Sequence, residues 1–109
     1  MNGQCHCGEL KYQATGAVVK CSHCECRGCQ LASGTLTVPF ITFKRDDFKV
    51  VAGELASVRG RTNDGCDKYG VWYFCPKCGT QIFWLGDSGD EVDIFAGTLD
   101  DTSEYKITA

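Results

Sequence analysis

No stretch of this 109-residue sequence approaches the roughly 18 apolar residues that a membrane-spanning helix needs. The opening "MNGQCHCGEL" has neither a basic lead-in nor an apolar core, so no secretory signal is expected. Basic runs are missing too. Lys44, Arg45, Lys49, Arg59 and Arg61 are scattered among acids and the net charge is −3, which argues against a nucleic-acid surface. There is no internal repeat, no low-complexity tract and no βαβ pattern. Helical signal is scarce: only "RGCQLASG" (27–34) reads as a helix, and it is short, with Gly34 as a suitable stop. The expectation from these absences is a cytoplasmic protein without membrane or nucleic-acid partners, and the length is that of a single domain over residues 1–109.

What the sequence has in excess is cysteine, nine in all. An odd count fits a complete disulfide framework poorly, and in a reducing compartment clustered cysteines more often bind metal. A chain this short buries a limited core, so a metal staple suits it.

Between glycine stops the apolar residues alternate. Leu10, Tyr12 and Ala14 sit every second position, as a half-buried strand requires. "GTLTVPFITF" is β-branched and aromatic, with Pro39 suggesting an edge or a bulge. "DFKVVAG", "GVWYFC", "TQIFWLG" and "DEVDIFAGTL" read as further strands, with Ile82 and Trp84, and then Val92, Ile94 and Ala96, on buried faces. "GDSGD" (86–90) is a turn, and "RTNDGCDKYG" (61–70) a polar loop. The expected class is mainly β, with antiparallel hairpins and one short helix.

The cysteines fall into two constellations. Cys5 and Cys7 form C-x-C, and Cys75 and Cys78 form "CPKCG" far downstream. A C-x-x-C turn followed by glycine is a common half-site, and two halves make a tetrahedral four-thiolate site. A thiol-redox pair is the alternative for "CPKC", but no βαβ pattern surrounds it. Within "CSHCECRGC" (21–29), Cys24, Cys26 and Cys29 give C-x-C-x-x-C. Three thiolates with one exchangeable position is the pattern of catalytic zinc; a fourth ligand from Cys21, or from His23, would close the site. Spacing alone leaves open and closed about equal. Cys66, in the polar loop, reads as a spare thiol or a nucleophile.

"CHCG" with "ELKYQATG", then "CECRGCQLASG", then "FCPKCGTQIF", then "AGTLDD", in that order, resembles the glutathione-dependent formaldehyde-activating enzyme family over nearly the whole chain. The resemblance implies a β-tent fold of antiparallel sheets organised around zinc, with two zinc ions per chain. It implies a structural zinc at Cys5, Cys7, Cys75 and Cys78, and a catalytic zinc at Cys24, Cys26 and Cys29. Cys21 and His23 lie outside the motif, which favours an open site. The chain ends at "EYKITA", where the family runs on through a Pro and a His-Ile into a further strand, so substrate recognition is expected to differ.

The implied activity is carbon–sulfur lyase chemistry on thiol–aldehyde adducts, with glutathione and formaldehyde as the family's partners. Free thiols have a pKa of about 8.5, and zinc deprotonates a coordinated thiol at neutral pH. The expected role of the second zinc is therefore delivery of a thiolate to a carbonyl carbon. Ser33 is a conceivable proton donor, and Arg27 a conceivable partner for a substrate carboxylate. Two other classes stay in view. One is a non-catalytic zinc-binding interaction module, as in centromere protein V-like relatives. The other is a thiol redox protein acting through Cys66. His6, between two ligands, reads as solvent-facing or backbone-bonded. Trp72, Tyr73, Phe83, Trp84 and Phe95 read as sheet packing, and Asp100 and Asp101 as a turn.

Overall fold

The computed structural model describes residues 1–61 and 69–106. Among these residues nine strands form two antiparallel sheets. β1 (Asn2–Gln4), β2 (Lys11–Ala14) and β5 (Phe48–Ala52) make a three-stranded sheet in that order. β3 (Lys20–Cys24), β4 (Val38–Lys44), β9 (Glu91–Phe95), β8 (Gln81–Gly86), β7 (Tyr69–Phe74) and β6 (Ala56–Arg61) make a six-stranded one. The one α-helix among the described residues, α1 (Arg27–Ser33), follows β3 and ends at Gly34, whose φ of 74° is the left-handed conformation that a helix stop favours. The mainly β, antiparallel architecture with one short helix is the expected one. Among the described residues no helix is long and apolar enough to cross a membrane.

The pleat sorts side chains to two faces of the large sheet. Paired positions Cys21, Ile41, Ile94, Phe83 and Tyr73 run across β3, β4, β9, β8 and β7 on the inner face. They pack against Leu10, Tyr12, Ala14 and Phe48, so the alternation in "LKYQA" covers the main core. Each fully buried Leu or Ile there stabilises the fold by about 1.5–3 kcal/mol. The outer face carries the row Lys20, Thr42, Asp93, Trp84, Trp72 and Val58. At one end of it a second apolar cluster forms from Cys29, Val38, Phe40, Trp72 and Trp84, with Cys24, Cys26, Ala32 and Phe95 against it.

Two expectations are corrected here. "TQIFWLG" does not simply alternate: Ile82, Phe83 and Trp84 are buried in succession, at 0%, 4% and 8% exposure. Ile82 is the extra residue of a bulge, left over between the pairs Tyr73–Phe83 and Phe74–Gln81, so it joins Phe83 in the main core while Trp84 turns to the covered outer face. Pro39 does not mark an edge strand either, because β4 lies between β3 and β9. The ladder to β9 begins only at Phe40, so Pro39 has β3 alone beside it, where a missing N–H is tolerated.

Candidate metal centres

Two backbone turns build the first centre. Cys5 N–H donates to the Leu10 carbonyl (3.0 Å) and Gly8 N–H to the Cys5 carbonyl (3.1 Å). The downstream half repeats this, with Cys75 N–H to the Thr80 carbonyl (3.0 Å) and Gly79 N–H to the Cys75 carbonyl (2.8 Å). Gly79 has a φ of 78°, which a side chain would strain. The four sulfurs of Cys5, Cys7, Cys75 and Cys78 lie within 4.8 Å of one another. Cys5 Sγ is 3.4 Å from Cys7 Sγ, and Cys7 Sγ is 3.8 Å from Cys75 Sγ. Thiolates about 2.3 Å from a tetrahedral zinc stand about 3.8 Å apart, so this set could hold such an ion.

The surroundings favour negative sulfur at Cys5 and Cys78. Leu10 N–H donates to the buried Cys5 Sγ at 3.3 Å. Burial pushes the Cys5 thiol up, but that N–H and the neighbouring sulfurs outweigh it and the pKa falls below its usual value. Cys78 is pulled down to about 5, first by the Thr80 hydroxyl (Sγ to Oγ1 3.1 Å) and then by the Thr80 N–H. For Cys7 the Glu9 N–H works downwards, yet the adjacent sulfurs drive the pKa up to about 12. Sulfurs this close cannot all ionise unaided, which is what a bound cation would relieve.

The second centre joins the end of β3 to the start of α1. Cys24 closes the strand, Cys26 is the helix N-cap, and Cys29 lies in the first turn. The Cys26 side chain accepts the Cys29 N–H at 3.3 Å, the usual N-cap bond made by sulfur instead of oxygen. That bond lowers the Cys26 pKa against the opposing effect of burial. Burial raises Cys24 and Cys29. The three sulfurs lie within 4.8 Å of one another, and Cys24 Sγ is 3.3 Å from Cys26 Sγ. Cys29 is buried under the aromatic cluster, while Cys24 and Cys26 are half-buried. Among the described residues no fourth His, Cys, Asp or Glu atom joins this group.

The structure places Cys21 elsewhere. Strand parity turns it to the inner face, where it packs in the main core beside Ile41, whereas Cys24 faces outward. It is not brought into the three-sulfur group, so the expected possible fourth ligand is absent from it. His23 and Glu25 flank the group and face each other, with Nε2 to Oε1 at 3.6 Å and both exposed. Ser33 Oγ donates to the Cys29 carbonyl at 2.8 Å and meets Thr35 Oγ1 at 2.9 Å, so it braces the helix. Arg27 is exposed and donates to Gln30 at 3.4 Å. The side chain of His6 is exposed, and its backbone N–H donates to Thr80 Oγ1 at 3.0 Å. Asp101 Oδ1 accepts from Ser103 N–H and Oγ, the turn role expected of it. Cys66 lies outside the described residues.

The aromatic residues are packing: Tyr73 stacks on Phe83 at 4.5 Å, and Trp72 meets Trp84 at 6.1 Å and Phe95 at 6.0 Å. On the same outer face, Lys20, Tyr69, Trp84, Asp87, Glu91 and Asp93 line an open cleft of about 350 Å³. Trp84 is thus shared between this cleft and the cluster over Cys29. Thr80 and Gln81 were not singled out by sequence reasoning. A hydroxyl directly after a C-x-x-C-G turn is the signal that points to Thr80.

Among the described residues, one group of four cysteine sulfurs and one of three are placed where each could hold a metal ion, on a small antiparallel β-fold. The sequence matches the family described as glutathione-dependent formaldehyde-activating enzyme over residues 1–109. The chain belongs to that family. No curated protein matches it. Among solved structures it is similar to the crystal structure of a Rhodobacter sphaeroides protein, a Northeast Structural Genomics target. That similarity has a TM-score of 0.72 at 20% identity, over 98% of this chain and 97% of that one, and shows a shared fold.

Proposed function

We propose that this protein is a zinc-dependent enzyme of carbon–sulfur chemistry acting on thiol–aldehyde adducts, with glutathione and formaldehyde as the leading pair. Cys5, Cys7, Cys75 and Cys78 hold a structural zinc, and Cys24, Cys26 and Cys29 a catalytic one. One observation carries the reading: the three sulfurs at the start of α1 converge without a fourth ligand among the described residues, in a family of that description.

When bound, the zinc keeps a coordinating thiol deprotonated at neutral pH. The chain's own residues supply the rest. The Cys29 N–H fixes the Cys26 sulfur, and Ser33 locks the Cys29 carbonyl. Cys29 is buried in the cluster of Trp72, Trp84, Phe40 and Phe95, so Cys24 and Cys26 are the solvent-facing members of the group. The cleft sharing Trp84 presents Lys20 together with acids, charges of both signs that suit a zwitterionic thiol. In the reaction a sulfur–carbon bond forms at the carbonyl carbon and the thiol proton ends on the oxygen, with no net redox change.

The test is the exchange rate between glutathione, formaldehyde and S-hydroxymethylglutathione, followed by magnetisation-transfer NMR. The protein should accelerate exchange, and Cys26→Ser should abolish the acceleration. If Cys26→Ser leaves both the exchange and the second zinc intact, the assignment is wrong. A non-catalytic interaction module is the second reading. Leu31 on α1 and Leu36 just after it, 66% and 83% exposed, are the observation in its favour. Zinc binding without any acceleration would support it.

A further inference from the structure

The two cysteine groups pack with opposite faces of the large sheet, yet two consecutive residues connect the first group to the helix that carries the second. Thr80 belongs to the first centre: its hydroxyl meets Cys78 Sγ at 3.1 Å and accepts the His6 N–H at 3.0 Å. Gln81, the next residue, reaches the other way. Its Nε2 donates to the Ala32 carbonyl at 3.2 Å, across 49 positions of sequence. Ala32 is three residues after Cys29 on α1, on the same helix face, and packs in the same outer cluster.

Each bond does something packing would not. The Ala32 carbonyl is one of the last four of α1, which have no partner inside the helix. Ser33 ties the Cys29 carbonyl, and Gln81 ties that of Ala32, so the two restraints together hold α1 from Cys29 to its C-terminal end. The amide is also held in an unfavourable way, since Gln81 Oε1 is buried with no partner among the described residues. An apolar side chain would avoid that orphan acceptor. The presence of glutamine is accounted for by the donor it offers to α1.

We propose that Thr80–Gln81 is a strap coupling the two centres, with Gln81 as a positioning residue. Metal at Cys5, Cys7, Cys75 and Cys78 fixes Thr80. That fixes the start of β8, which sets α1 and so the metal affinity of Cys24, Cys26 and Cys29. Such coupling is reciprocal, so filling the second centre must be felt at the first. This inference rests on the reading that both groups bind metal.

The experiment is a titration of the reduced whole chain with ¹¹³Cd²⁺, read by ¹¹³Cd NMR and competition against a chelator. Gln81→Met, close in size but unable to donate, is compared with wild type. In wild type the four-sulfur centre fills first, and its resonance shifts when the three-sulfur centre fills. In Gln81→Met the first affinity is unchanged, the second falls about tenfold, and the shift is lost. Gln81→Glu, which cannot donate to the carbonyl at neutral pH, behaves like Gln81→Met. Independent filling in wild type overturns the proposal, whatever the variants do. So does a Gln81→Met protein with two unaltered affinities. A chain that takes up only one cadmium contradicts the metal reading instead.

Discussion

A methyl group placed at Gly70 tests the outer face that carries Cys29. Gly70 is buried on β7 and paired with Gly86 on β8, and the Trp84 indole lies over both. A Cβ at Gly70 would stand 2.7 Å from Trp84 Cζ2 and 2.8 Å from the Gly86 Cα, and would also press on the Leu85 carbonyl. Two of these neighbours are backbone in a paired strand and cannot turn aside. A Cβ at Gly86 meets only the Trp84 ring, at 3.0 Å from Cη2. Overpacking costs about 1–3 kcal/mol. Gly70→Ala therefore belongs at the upper end and Gly86→Ala at the lower. For a domain of this size 1 kcal/mol moves Tm by roughly 4–8 °C. Gly70→Ala should thus melt roughly 12–24 °C below wild type, with Gly86→Ala between the two. The assay is urea and thermal unfolding of the metal-loaded proteins, with tryptophan fluorescence reporting the indole. A Gly70→Ala protein within about 0.5 kcal/mol of wild type, the scale of an ordinary surface change, would refute this packing.

Other expectations follow from the same contacts. Tyr12 is raised to about 12, mainly by burial, with the bond to Thr98 (2.7 Å) opposing. Its folded pKa lies above its unfolded one, so its contribution is complete below about pH 10 and is lost as pH rises towards 12, up to about 3 kcal/mol. Urea midpoints of wild type and Tyr12→Phe should therefore converge between pH 9 and pH 12, and parallel curves would contradict this. Cys21→Ser should keep both metals in native mass spectrometry while losing about 1–3 kcal/mol, because a hydroxyl replaces sulfur in the main core. Loss of a metal would show that Cys21 is a ligand. Chelation of the four-sulfur centre should unfold the chain, since structural zinc contributes about 10–16 kcal/mol in small peptides and whole domains are stable by about 5–15. Retained near-ultraviolet circular dichroism after complete metal removal would show that the core stands alone.

The parts of the fold that were legible are those with one wet face. β2 and β9 alternate because their outward residues meet solvent or a polar partner, as Lys11 and Asp93 do. β6 left no signal. It is an edge strand held by its backbone ladder to β7, and its one large apolar residue, Val58, is 54% exposed. β1 is three residues long and polar apart from Gly3. β3 was hidden by its own cysteines: "CSHCEC" reads as a ligand cluster, and only pairing with β4 shows that Cys21 and Cys24 face opposite ways. The cysteine groups themselves were legible because C-x-C and C-x-x-C turns are local, with one or two residues between the cysteines. The strap through Gln81 was not, because its bond spans 49 positions and depends on how α1 lies over the sheet.

The most direct test of the account is to count zinc per chain by native mass spectrometry and then add glutathione. The account predicts two zinc ions, and a glutathione adduct that disappears in Cys26→Ser. Two zincs with no adduct at any glutathione concentration, or a single zinc with Cys24, Cys26 and Cys29 open to alkylation, would contradict an open, substrate-accepting centre at the start of α1.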